Sequence, residues 1–387
     1  MSVTAPQGFV AAGVHAGIRR AKKDVALVRT LGAGTGAAMW TQNRVLAAPV
    51  VVSKKHLETA EPQAVVINSG VANAATGAQG EADALATATH AATLLGLEPA
   101  QVLVLSTGVI GAPLPVERVN AGIEAAVPAL SAGGGLDAAE AILTTDTKIK
   151  TAVSHGAAFT VGGMAKGSGM IHPNLATMLA VVTTDYPLGP GEAAEFLRPA
   201  VDASFNSISV DGECSTNDAV VLLASGAAEA DRSPATDEAF ALALRSVCAD
   251  LAAQIVADGE GATLVAEIEV SGAASAREAK AIAQRIATSP LVKTALFGRD
   301  ANWGRVLSAA GSAPYNGGYA QLDPRRVSLS YNGTAVLVDG APQNVEPPVD
   351  GALCTITLEL GLGDGRASYL TSDLSYDYVR INADYRT

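Results

Sequence analysis

Two hydrophobic patterns alternate along the chain. Short continuous apolar runs mark strands buried on both faces, and apolar residues recurring every three or four positions mark amphipathic helices. Residues 64–67 and 102–105 are runs of the first kind, ending in Asn68-Ser69-Gly70 and Ser106-Thr107-Gly108. Both deliver a polar residue and a glycine at a strand end, where α/β sheets commonly place ligands. Between them, 81–95 predicts an alanine-rich helix. Val116, Val119, Ile123, Val127 and Leu130 predict a second, with Pro115 near its start. The three glycines within 131–136 suggest a flexible connection, and 219–224 an apolar strand. A long helix is expected over 237–257, stopped by Asp258-Gly259-Glu260-Gly261. Beyond it, 265–270 alternates as a half-buried strand, and Ser275 with Glu278 forms a capping box. Asn332-Gly333 joins strands 327–331 and 334–338 as a type I′ hairpin.

These elements predict an α/β (α+β) protein with mixed sheets in two domains. Polar residues and proline interrupt the pattern at Ser233-Pro234, which sets the expected boundary: a main domain over 1–235 and a smaller α/β domain over 236–387. A chain of 387 residues is too long for one ordinary core, in keeping with that division. With 38 acidic against 26 basic residues the net charge is −12, so nucleic acid and anionic membranes are unfavourable partners. The 3 cysteines, Cys214, Cys248 and Cys354, are widely spaced, which speaks against a disulfide framework or a thiolate metal site. Residues 1–10 lack the features of a signal peptide, and no uninterrupted apolar run approaches the ~18 residues that crossing a bilayer needs. A cytoplasmic location is expected, with neither metal nor resident cofactor.

Candidate chemistry concentrates in 162–185, where Gly162-Gly163 and Lys166-Gly167-Ser168-Gly169 read as a glycine-rich loop leading through Pro173 to Thr177 and an apolar strand. A phosphate loop is excluded, because Lys166 stands before Gly167 rather than in a Gly-Lys-Ser/Thr order. Gly32 to Ala37 formally matches a dinucleotide fingerprint, but the residues from Met39 to Val45 read as a strand where a helix would be required. Two readings of Thr177 stay open on pattern alone. It begins a buried strand, or it is a nucleophile whose base is its own α-amino group, freed when the Ala176–Thr177 bond is cut. An ordinary α-amino group titrates at about 7.7–8.0, near working pH. Thr107 and the Gly108 N–H are candidates for stabilising the oxyanion of acyl transfer. His155 and His172 would suit a triad, which a terminal threonine does not need.

The stretch GGMAKGSGMIHPNLATML over 162–179 resembles the signature of the ornithine acetyltransferase family. So do Val3 to Phe9, Asn68-Ser69-Gly70 with Ala72-Asn73-Ala74, Ser106 to Gly111, Thr144-Thr145-Asp146-Thr147, Ser215 to Asp218, Phe297 to Arg305, and Ile381 to Thr387. The resemblance implies a layered α-β-β-α main domain, with the C-terminal tail returning to the active site. It implies a ping-pong glutamate N-acetyltransferase of arginine biosynthesis that moves acetyl from N2-acetylornithine to glutamate, with acetyl-CoA as a further donor to be considered. Self-cleavage would give an α piece, 1–176, and a β piece, 177–387, assembled as a heterotetramer of two of each. Thr177 would be the nucleophile, Thr107 and Gly108 the oxyanion hole, and Thr144, Lys166, Thr177, Glu260, Asn382 and Thr387 the substrate contacts. The chain departs from the family pattern at Val71, Ala75, Lys148-Ile149 and Glu213-Cys214. The rivals are a related self-cleaving amidase or aminopeptidase, and a non-catalytic small-molecule binding protein.

Overall fold

The computed structural model describes residues 2–172 and 178–384. They divide into two compact units: the first holds the residues up to Asn206 together with Glu213–Ile255, the second Ser207–Gly212 and the residues from Val256 onward. The division at Ile255 corrects the boundary expected near Ser233-Pro234. That dipeptide starts a helix: Ser233 Oγ accepts from Thr236 N at 3.2 Å, and Pro234 occupies the first helical position, where its missing N–H is not needed.

The first unit contains two sheets. One orders β1 (Phe9–Val14), β2 (Val25–Thr30), β4 (Ala64–Val71) and β5 (Val102–Val109), with β4 and β5 parallel. The other orders β3 (Thr35–Trp40), β10 (Ala219–Ala224), β8 (Leu179–Thr184), β7 (Thr160–Lys166) and β6 (Lys150–His155). The continuous apolar runs arise because both faces of the first sheet are covered. Val65, Ile67, Leu103 and Leu105 pack inward with Leu179, Val181, Val221 and Leu223 of the other sheet. Their neighbours Ala64, Val66, Val102 and Val104 pack outward with α2 (Gly77–Leu95) and α3 (Val116–Ala129), and Val52 of α1 (Ala48–Leu57) joins them. On the outer side of the second sheet lie α5 (Ala193–Asp202) and α6 (Pro234–Ala257), with Phe240 of α6 stacked on Tyr186 at 4.7 Å and edge-on to Phe196 of α5 at 5.1 Å. The order is therefore helices, sheet, sheet, helices, as expected.

Three local expectations are corrected. Gly162 and Gly163 belong to strand β7 and form no loop. A Cβ on Gly162 would lie 2.3 Å from the Ser2 carbonyl oxygen and one on Gly163 2.8 Å from Leu251 of α6, so close approach on both faces requires the glycine pair. The connection at 131–136 is tied down: Ser131 bridges Ala11, and α4 (Gly135–Ala141) starts inside it. The strand after Gly34 ends at Trp40, and Thr41 instead donates its N–H to Asp218 O at 3.0 Å. As expected, no helix follows the Gly32 to Ala37 match. Among the described residues one helix, α6, is long and apolar enough to cross a membrane by composition, although its Leu244, Val247, Leu251 and Ile255 are buried in the protein.

The second unit holds a seven-stranded sheet of order β16 (Ala341–Pro342), β15 (Thr334–Val338), β14 (Ser328–Tyr331), β17 (Leu353–Glu359), β11 (Val265–Ala273), β18 (Gly365–Ser372) and β9 (Ile208–Ser209). A separate hairpin pairs β12 (Pro314–Tyr315) with β13 (Gly318–Tyr319). Helices α7 (Ala276–Ala287), α8 (Pro290–Phe297) and α9 (Trp303–Gly311) share one core with this sheet, and α10 (Tyr376–Asp384) follows β18. Asn332 at φ 48° and Gly333 at φ 81° make the expected type I′ turn. Ser275 caps α7 by accepting from Glu278 N at 3.2 Å.

A packing test follows from α4, which lies against β1. A Cβ on Gly13 would sit 1.9 Å from the Asp137 carbonyl oxygen, a backbone atom that cannot swing away. Gly13→Ala is expected to destabilise the first unit by about 1–3 kcal/mol in denaturant unfolding. An unchanged midpoint would show that α4 does not pack tightly on β1.

Candidate active site

Parallel pairing brings the two polar strand ends together. Gly70 and Gly108 stand opposite one another at φ 108° and 133°, and a Cβ on Gly108 would lie 2.2 Å from the Gly70 carbonyl carbon. Only glycine tolerates that backbone and that approach. Thr107 is half-buried at the end of β5. Beneath it, Ser106 Oγ donates to Asn68 Oδ1 at 2.6 Å.

The buried amide of Asn217 spans both strand ends. Its Nδ2 donates to Ala72 O at 2.6 Å and to Ser106 O at 2.8 Å. Two residues later, Ala219 N donates to Met178 O at 3.1 Å, where the described chain resumes at the start of β8. Asn217 therefore couples the Thr107 strand end to the residue that follows Thr177.

Lys166 closes β7 opposite Leu179 and is 5% exposed. The centre of its surroundings is Asp146. The Asp146 carboxylate accepts from Thr144 N at 3.0 Å, Gly167 N at 2.6 Å and Lys150 Nζ at 2.8 Å. Burial alone would raise this carboxyl, but the Lys166 and Lys150 ammoniums and these hydrogen bonds hold it well below the usual carboxylate range. Arg19 completes the arrangement. Its side chain passes beside Gly70, and its guanidinium donates to Leu143 O and to Thr144 O at 3.1 Å. Thr107, Gly108, Thr144 and Lys166, separated by up to 59 residues in sequence, are thus joined within one unit.

In the second unit, Asn382 Nδ2 on α10 donates to Glu260 Oε2 at 2.8 Å, so these two expected substrate contacts are direct neighbours. Nearby, Lys293 Nζ reaches Thr371 Oγ1 at 2.9 Å and Ser372 O. Burial pushes Lys293 down to about 8 against the attraction of Asp373 and Asp211. The expected nucleophile Thr177, the cleavage-site residue Ala176 and the terminal contact Thr387 lie outside the described residues. His155 is exposed, with Nδ1 3.2 Å from Thr160 Oγ1 on the neighbouring strand, and no carboxylate completes a triad with it among the described residues.

Asp146, Lys150, Arg19 and Asn217 are the residues that motif reading passed over as participants. Asp146 sat in plain view within Thr144-Thr145-Asp146-Thr147, but its burial between two lysines follows from the pairing of β6 with β7, which no local pattern states. Among the departures, Lys148 supplies a carbonyl that accepts from Lys150 Nζ at 3.3 Å, and Cys214 supplies one that accepts from Asn43 Nδ2 at 2.9 Å. Cys214 also brings its thiol to 3.9 Å from Thr41 Oγ1.

The sequence model of the ArgJ family matches residues 10–387. The chain is 49% identical over 400 residues to the arginine biosynthesis bifunctional protein ArgJ of Symbiobacterium thermophilum, covering 100% of this chain and 98% of that protein. It is 48% identical over 395 residues to the ArgJ protein of Mycolicibacterium paratuberculosis, covering 99% and 96%. Among solved structures, the ornithine acetyltransferase of Mycobacterium tuberculosis complexed with ornithine is 43% identical over 46% of this chain and 95% of that one, with a TM-score of 0.43. The chain belongs to the ArgJ family.

Proposed function

We propose that this acetyltransferase of arginine biosynthesis transfers acetyl from N2-acetylornithine to glutamate through an acetyl ester on Thr177, after cutting itself at the Ala176–Thr177 bond. One observation carries the reading: Asn217 ties the Thr107 strand end to the start of β10, whose Ala219 holds Met178, the residue after Thr177. In the first half-reaction the Thr177 hydroxyl adds to the acetyl carbonyl and its proton passes to the Thr177 amine. Collapse of the tetrahedral intermediate breaks the amide C–N bond, and the ornithine amine leaves with that proton. Glutamate's amine then attacks the ester, gives up a proton, and the threonine oxygen leaves protonated. Thr107 Oγ and the Gly108 N–H are the oxyanion donors of this scheme. Lys166 is the cation for the substrate carboxylate, aided by Thr144. Glu260 and Asn382 meet the amine end, and Thr387 completes the contacts.

Sheet pairing supports the two-piece product. Strands β3, β6 and β7 precede the cut and β8 and β10 follow it, yet all share one sheet, with β7 against β8 and β3 against β10. Hydrolysis of one bond would leave those ladders intact, and the α and β pieces would stay joined, two of each in the assembly. The relatives are named bifunctional, and acetyl-CoA is proposed as a second donor. Free thiols at Cys214, Cys248 and Cys354 suit a cytoplasmic setting.

Mass spectrometry of the purified protein is expected to show two species, the second beginning Thr-Met-Leu-Ala, while Thr177→Ala remains whole and inactive. A wild-type chain that stays uncut yet transfers acetyl removes the terminal amine from the mechanism. Thr107→Val keeps the side-chain shape and should lower kcat about 10²–10³-fold, with stability changed by no more than about 0.5 kcal/mol; an unaltered kcat excludes Thr107 as an oxyanion donor. Asp146→Asn removes the buried negative charge beside the Lys150 and Lys166 ammoniums and is expected to cost about 3–5 kcal/mol at neutral pH. Because the folded carboxyl lies below its unfolded value of about 3.9, its contribution is full above that pH and is lost as pH falls towards the folded value. The stability gap between wild type and variant should therefore narrow below about pH 4; a gap that is constant across acid pH refutes the ion-pair account.

A further inference from the structure

Glu260 and Asn382 lie on separate segments of the second unit, and their 2.8 Å contact requires those segments to be held in register. The residues that do so cluster on the turn just after Glu260. Asp373 is buried at the end of β18, and its Oδ1 accepts from Thr263 N at 2.8 Å and from Leu264 N at 3.1 Å. Its Oδ2 accepts from the Thr263 hydroxyl at 2.5 Å. Two residues on, Ser375 Oγ donates to Gly261 O at 2.6 Å and accepts from Tyr378 N at 3.3 Å, joining the turn to the first turn of α10. Asn382 follows on the same helix.

The turn is also held by Arg299, a non-glycine residue at φ 57° within the Phe297 to Arg305 motif that the acetyl-transfer scheme leaves without a role. Its guanidinium donates to Thr263 O at 3.2 Å and to Gly351 O at 2.7 Å. Gly261, at φ 69°, has no room for a side chain: a Cβ there would lie 2.5 Å from Tyr378 N. Beneath the Asp373 segment, Lys293 O accepts from Leu374 N at 3.2 Å, and the Lys293 ammonium binds Thr371 Oγ1 at 2.9 Å. A buried carboxylate that accepts two backbone N–H groups and a hydroxyl makes charge-assisted bonds, stronger than neutral ones, and here all of them end on two consecutive residues.

We propose that Asp373 is a positioning residue for the acetyl-transfer site. Acting with Arg299 through Thr263, it fixes the 260–264 turn against α10 and so presents the Glu260 carboxylate and the Asn382 amide as one preformed receptor for the amine end of the amino-acid substrate. This rests on the assignment of Glu260 and Asn382 as substrate contacts. Asp373 touches no substrate and takes no part in the chemical step.

The test uses the full-length enzyme in Asp373→Asn, Glu260→Gln and double-variant forms, with Thr263→Val and Thr263→Ser as milder probes. Asp373→Asn is expected to raise KM for N2-acetylornithine, whose side-chain amine is free, roughly tenfold while kcat changes less than about threefold. Self-cleavage, which takes place in the first unit, should proceed normally. Thr263→Val should move KM the same way, and Thr263→Ser, which retains the hydroxyl, should restore it. Because Asp373 acts by holding Glu260 against Asn382, Asp373→Asn should raise KM by a smaller factor in the Glu260→Gln background than in wild type. Multiplying KM effects, or a fall in kcat with KM unmoved, overturn the proposal, as does a normal KM in both Asp373→Asn and Thr263→Val when Glu260→Gln raises it. If Glu260→Gln itself leaves KM unchanged, the substrate assignment fails. Amide hydrogen exchange then decides the clamp separately: faster exchange at Thr263, Leu264 and the start of α10 in Asp373→Asn upholds it, and unchanged exchange overturns it.

Discussion

The first unit's candidate site depends on one buried charge. Removing a carboxylate from water costs several kcal/mol unless its oxygens are fully engaged, and Asp146 meets that demand with Lys150, Lys166 and the N–H groups of Thr144 and Gly167. Those donors come from the segment before β6, from β6 itself and from the end of β7. Satisfying the charge therefore brings Thr144 beside Lys166 and orients the strand end from which the chain leaves towards Thr177. Arg19 extends the constraint to Gly70, and the Gly70–Gly108 contact extends it to Thr107. A failure at Asp146 would thus affect folding and chemistry together.

The second unit repeats the device on its own scale. Asp373 grips backbone N–H groups just after Glu260, as Asp146 grips the one just after Lys166. Each carboxylate has a buried lysine beside it, Lys293 in one case and Lys150 in the other. Backbone amides are suited to this use because they cannot change rotamer, so a carboxylate fixed on them transmits its position to the neighbouring functional side chain. The contrast lies in the groups they support: a cation in the first unit, a carboxylate and an amide in the second.

Much of this was legible along the chain. The runs at 64–67 and 102–105, the Asn332-Gly333 hairpin and the Ser275 cap follow from local chemistry, and each stands where its residues predict. The errors share a cause. Gly162-Gly163 resembled a loop because glycine is a poor strand former, yet its neighbours are Ser2 on one face and Leu251 on the other, remote in sequence. Ser233-Pro234 resembled a linker because the residues that cap a helix also break patterns. The helix at α4 escaped notice because seven residues rich in glycine and alanine carry almost no periodicity.

Sequence by itself determined the layer-forming strands, the family, and the residue types on which acyl transfer would rest, because apolar runs, turn residues and a long signature are written locally. Tertiary structure alone decided that Thr144 and Lys166 meet on the buried Asp146, that Asn217 links the strand ends to Met178, and that Asp373 sets Glu260 against Asn382. The reason is physical. Each of these contacts joins segments tens of residues or more apart through strand register or a buried side chain, and neither leaves a mark on the local pattern of the chain.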